Sequence, residues 1–98
     1  MTGAEIDRRI RAWLGSHQVL GIHHRDSIGA TVSGWPDWEF VGPGGILYRE
    51  VKGSNDVLSL DQRRVGAVLQ AYGVDWAVWG PRDVIPGGRA FRQLEEIA

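Results

Sequence analysis

The sequence predicts a small α/β domain in which a mixed β-sheet is flanked by helices, in the order α-β-β-β-α-β-α. Three observations point to it. Two β-rich runs, Trp35 to Val41 and Ile46 to Lys52, are separated only by Gly42-Pro43-Gly44-Gly45, the signature of a hairpin. Two capping boxes are each followed by apolar residues at helical spacing. The run Val74 to Trp79 is apolar at nearly every position, as in a strand covered on both faces.

In chain order, Thr2-Gly3-Ala4-Glu5 opens a helix over about 3–14, with Ile6, Ile10, Trp13 and Leu14 on one face and Gly15 after it. Gln18 to Ile22 is a short strand, and His23 to Gly34, polar and mixed, is a long loop. The hairpin strands carry Trp38, Phe40, Leu47 and Val51 on one face and Val41, Ile46 and Tyr48 on the other, so helices should cover both sides. Ser59-Leu60-Asp61-Gln62 starts a helix over about 60–72, with Val65, Val68, Leu69 and Tyr72 as its apolar stripe and Gly73 as its stop. Pro81 ends the strand Val74 to Trp79, and an amphipathic helix runs from about Gly88 to Ile97.

With 98 residues, 43% of them hydrophobic, the chain makes one domain over 1–98. Its five Trp residues supply apolar area that so small a core needs. The absence of Cys excludes disulfides and thiolate-bound zinc. No apolar run approaches the roughly 20 residues of a membrane span, and no basic-then-apolar leader is evident, so the expected compartment is the cytoplasm, with no membrane partner. A net charge of -1 argues against a purely electrostatic nucleic-acid binder. Ten of the eleven basic residues are Arg; the only Lys is Lys52.

If the hairpin loop is 42–45, Val41 faces Ile46 and the same register sets Asp37 opposite Glu50, with Lys52 on their face. Two like charges held side by side suit a hard divalent cation such as Mg²⁺, which binds through one or two carboxylates and takes phosphate oxygens as further ligands. A lysine beside them suits hydrolysis, because its compact ammonium can orient a water and stabilise charge on the attacked phosphate. The other reading makes Asp37 a strand-start residue after Pro36, and Glu50 and Lys52 exposed charges that offset one another.

Gly34-Trp35-Pro36-Asp37, then Glu50-Val51-Lys52 thirteen residues beyond the Asp, then Leu58-Ser59-Leu60-Asp61-Gln62 and a helix ending at Gly73, resemble the VRR-NUC family of the PD-(D/E)XK nuclease superfamily. The resemblance runs from Glu5 to about Trp79. It implies a restriction-endonuclease-like core and a Mg²⁺-dependent endonuclease, with Mn²⁺ able to substitute and no small-molecule cofactor. It further implies that Asp37 and Glu50 are metal ligands together with the carbonyl of Val51, that Lys52 is the catalytic lysine, that Gln62 stands near the site, and that Glu5 joins the metal shell. Glu5 and Gln62 also read as capping-box residues, a role compatible with the first. The sequence departs from the family's commonest form at His23-His24-Arg25-Asp26-Ser27 and in Trp35, which falls opposite Lys52 and either stacks on a base or packs in the core.

The implied substrate is DNA, branched or junction DNA included. One site per chain makes a two-fold homodimer the simplest way to cut both strands. His17, His23 and His24 lack a second ligand pair at zinc-site spacing, and Gly42 to Gly45 does not open a helix as a phosphate-binding loop would. The alternatives are a catalytically silent DNA-binding module with the nuclease fold, separated by a metal-dependent cleavage assay, and a small Trp-rich protein-interaction domain with affinity for neither metal nor DNA.

Overall fold

The computed structural model describes residues 1–24 and 31–98. The elements are α1 (Gly3–Leu14), β1 (Leu20–His23), β2 (Trp38–Gly42), β3 (Gly45–Val51), α2 (Leu60–Ala71), β4 (Trp76–Trp79), a 3₁₀ turn (Pro81–Val84) and α3 (Arg89–Ile97). Their order is the predicted one, with the 3₁₀ turn as the addition. The part of the predicted loop at 25–30 lies outside the described residues, and His23 ends β1 instead of opening that loop.

One four-stranded sheet runs in spatial order β1-β2-β3-β4; β1, β2 and β3 are antiparallel neighbours, and β4 returns parallel to β3 after α2. The hairpin register is Phe40↔Leu47 and Val41↔Ile46, and pairing continues to Gly42↔Gly45, so the loop closes to Pro43-Gly44 without a shift. Gly42 and Gly44 have no room for a Cβ, because the end of α3 at Ile97 packs directly on them.

Both predicted capping boxes form. Thr2 Oγ1 accepts the Glu5 N–H while the Glu5 carboxylate accepts the Thr2 N–H, and Ser59 and Gln62 reciprocate in the same way. The α2 terminus explains why β4 starts at Trp76 rather than Val74. Gly73, at φ +80°, turns the chain so that its N–H reaches the Gln70 carbonyl and the Val74 N–H reaches Leu69, which spends Val74 on closing the helix.

The two faces of the sheet are unequal. On one, Trp38, Phe40, Leu47, Val51 and Trp79 meet Ile6 and Ile10 of α1, Val84, and Ala90, Leu94 and Ile97 of α3, forming the core. On the other lies α2, drawn close at Gly66, where a Cβ would come within 2.5 Å of the Trp76 ring. Trp76, Ala77 and Val78 are accordingly only half-buried, against the expectation of a strand covered on both faces. Among the described residues, no helix is long and apolar enough to cross a membrane.

Candidate active site

Glu50 and Tyr48 project from β3 on the α2 side, opposite the core face that holds Leu47, Arg49 and Val51. Asp37 lies one position before β2, in register with Glu50 by continuation of Trp38↔Arg49. It is held at both ends: its carbonyl accepts the His24 N–H, and its Oδ2 accepts the Val51 N–H at 2.8 Å. That leaves Oδ1 for other partners.

Glu50 is 1% exposed. Its Oε1 accepts from Gln62 Nε2 at 3.0 Å and lies 3.8 Å from Lys52 Nζ, while its Oε2 is buried without any hydrogen-bond partner. Burial, hydrogen bonding to the Asp37 carboxyl and the Asp37 charge, in that order, push the Glu50 pKa up to about 9, against the opposing pull of Lys52. Protonated, the carboxyl can donate from Oε2 towards Asp37; ionised, Oε2 is a buried acceptor that the protein leaves unsatisfied.

Gln62 both closes the capping box and touches Glu50. Its Oε1 accepts the Ser59 N–H at 2.8 Å and completes the capping box, which aims Nε2 at Glu50. Lys52, 20% exposed at its side chain, reaches the surface beside Glu50, and its own N–H is fixed to the Trp79 carbonyl at the end of β3. Gly53 follows, packed so closely against Gly3 and Met1 that a Cβ would lie 3.0 Å from backbone atoms of each. The start of α1 is thus docked next to Lys52, but the Glu5 carboxylate is engaged with the Thr2 N–H at 3.1 Å. Asp37, Glu50, Lys52 and Gln62 are brought together. Among the described residues no group of three or more His, Asp or Glu side chains forms a ready metal cage.

The donor set fits a hard divalent cation. It offers carboxylate oxygens from Asp37 and Glu50, one of them an orphaned buried acceptor, and excludes sulfur and imidazole. Two of the three histidines are employed elsewhere. His17 stacks on Trp13, with centroids 3.7 Å apart, and His23 lies between Asp7, Arg11 and Trp38.

Two features beside the site were not foreseen. His24 Nε2 lies 3.8 Å from Glu39, whose other oxygen accepts the Tyr48 hydroxyl at 2.7 Å; that hydrogen bond, desolvation and the Glu39 charge raise the Tyr48 pKa. The hairpin register already set Glu39 opposite Tyr48 and could have flagged the pair. Arg49 is buried in the core, bonded to Asp75, Gln93 and two carbonyls and stacked on Trp79, with its pKa lowered by desolvation. An arginine in a strand gives no signal of such burial.

The mixed four-stranded sheet thus sets Asp37 at the entry to one hairpin strand and Glu50-Val51-Lys52 across the end of the next. No protein-family model matches the chain, and no curated protein does. Among solved structures, a VRR_NUC domain protein matches with a TM-score of 0.74 at 16% identity, over 100% of this chain and 91% of that one. The chain has the VRR-NUC fold.

Proposed function

We propose that this protein is a divalent-metal-dependent endonuclease of the VRR-NUC type that hydrolyses phosphodiester bonds in DNA. The observation that carries the reading is the buried Glu50 carboxyl with Oε2 unpartnered, set against Asp37 and beside the chain's one lysine. Asp37 Oδ1, Glu50 and the Val51 carbonyl would hold Mg²⁺ or Mn²⁺, with Glu5 able to join them on release of its capping bond. Bound there, the ion supplies Lewis acidity and lowers the pKa of water at the site.

The chain's own residues do the rest. Gln62 and the Val51 N–H fix the two carboxyls in place before substrate arrives, so no reorganisation is needed during the reaction. Lys52 presents a localised positive charge to a phosphate oxygen, where negative charge grows as water attacks phosphorus and the ester P–O bond breaks. Branched or junction DNA is the substrate class proposed, and a symmetric homodimer would supply the two sites that paired cuts require.

Purified protein incubated with supercoiled plasmid and with four-way-junction DNA, in Mg²⁺ or EDTA, tests the reading. Cleavage in Mg²⁺, absent in EDTA and absent from Asp37→Asn, is the expected result. Metal-dependent DNA binding without cleavage would make the domain a silent module; neither binding nor cleavage would leave only the fold.

A further inference from the structure

Beside the carboxylate pair, the α2 face of the sheet carries a groove of about 260 Å³ lined by Val32, Trp35, Arg64, Val65, Val68 and Leu69. It takes up where the site ends. Gln62 grips Glu50, and Val65, Val68 and Leu69 stand on the following turns of the same helix. The segment that carries Trp35 is latched to the start of α2 at Gly34, where φ is +89° and a Cβ would meet the Asp61 carbonyl carbon at 2.5 Å. Trp35 is braced by Tyr48, two residues from Glu50 on the same face, in an edge-to-face contact with centroids 5.9 Å apart; Tyr48 is itself tied to Glu39.

A braced indole that remains 37% exposed in a concave apolar groove is unusual for a core residue. Val68 opposite it is 55% exposed. The one charge in the lining is cationic, and among the described residues Arg64 has no hydrogen-bond or ion-pair partner. The groove is smaller than the roughly 300–1,000 Å³ of drug-sized ligand sites, a volume for one planar ring system and not for a helix or strand of a protein partner. Aromatic face, apolar floor and a guanidinium are the elements that hold an unpaired base and its phosphate.

We propose that this groove receives a single unpaired nucleobase of the DNA, stacked on Trp35 with Arg64 on its backbone, so that the phosphate beside an unpaired nucleotide is the one delivered to Asp37, Glu50 and Lys52. The proposal rests on the nuclease reading for the identity of the ligand. It deepens that reading, because selectivity for branched over fully paired DNA then resides in one pocket next to the carboxylates.

The test uses fluorescence anisotropy in Ca²⁺ with a labelled twelve-nucleotide thymidine strand, the same strand fully paired, and a set of strands carrying one abasic position each. Loss of one stacked base costs roughly five- to a hundred-fold in affinity. Trp35→Ala should therefore weaken single-strand binding within that range and leave duplex binding within about twofold, whereas Trp35→Phe retains most of it. Val68→Glu, on an exposed helix position that does not challenge folding, should reproduce the loss by filling the groove with a repelling charge. One abasic position should weaken wild type and have no effect in Trp35→Ala.

Equal losses on single strand and duplex, or no abasic position that distinguishes the two proteins, would overturn the pocket. Cleavage in Mg²⁺ by the same proteins separates the claims. A wild type that cleaves with no Trp35 effect keeps the nuclease and loses the pocket; a wild type that binds single strands through Trp35 without cleaving keeps the pocket and loses the nuclease.

Discussion

Replacing Glu50 by Gln should stabilise the metal-free protein, an uncommon outcome for a substitution at a fully buried residue. The Glu50 pKa of about 9 in the folded protein stands above the ordinary 4.5. Between these values the folded state keeps a proton that the unfolded state releases, so this group's contribution falls as pH rises from about 4.5 to about 9 and is constant beyond. At pH 7 the accumulated penalty is about 3 kcal/mol. The amide of Glu50→Gln is neutral in both states and removes it. Its oxygen can take the place of Oε1 and accept from Gln62, while its NH₂, in the place of the unpartnered Oε2, can donate towards Asp37. Lys52 loses a partner but is open to water, at little cost. The gain should appear as a melting temperature at least about 10 °C higher in EDTA at pH 7, growing towards pH 9 and vanishing near pH 4.5. Added Mg²⁺ should stabilise wild type, by about 2.7 kcal/mol at a hundred times the dissociation constant, and leave Glu50→Gln unmoved. A Glu50→Gln protein less stable than wild type in EDTA, together with wild-type stability flat between pH 5 and 9, would refute the reasoning.

Lys52→Arg should lose nearly as much cleavage as Lys52→Ala, since a planar guanidinium cannot replace a point charge placed 3.8 Å from Glu50; near-normal turnover of the arginine variant in a plasmid assay would show that any cation suffices. Gln62→Ala removes one capping hydrogen bond and the contact to Glu50, and should cost about 1–2 kcal/mol in urea denaturation, with a larger fractional loss of cleavage than of stability. Gly66→Ala forces a methyl into the Trp76 ring and should destabilise by about 1–3 kcal/mol, with a red-shifted tryptophan emission as α2 lifts; an unchanged melt would mean that α2 is not seated on β4.

Local chemistry carried much of this fold into the sequence. Gly42-Pro43-Gly44-Gly45 pins the hairpin, and period-two alternation then fixes every partner up to the Asp37–Glu50 position. The capping boxes mark their helix starts because both reciprocal bonds lie within four residues. What stayed hidden depends on distant contacts. Glu50 and Arg49 are neighbours with ordinary strand alternation, yet both are buried, one under α2 and the other against Asp75 and Gln93, and no local pattern reports that. The start of β4 was misplaced because Val74 is as apolar as a strand residue but serves the end of α2. Glu5 matched both a capping residue and a metal ligand, and the structure shows its carboxylate engaged in the first. His24 and Glu39 become neighbours only when β1 pairs with β2.

The central claim is that Asp37 and Glu50 together form a divalent-metal centre, and a Mn²⁺-soaked crystal tests it by anomalous scattering. The account predicts a single strong peak in contact with both carboxylates, with Gln62 still bonded to Glu50 and the peak lost in Asp37→Asn. A carboxylate pair with no anomalous density, or Mn²⁺ bound only at other side chains such as His17, would contradict it.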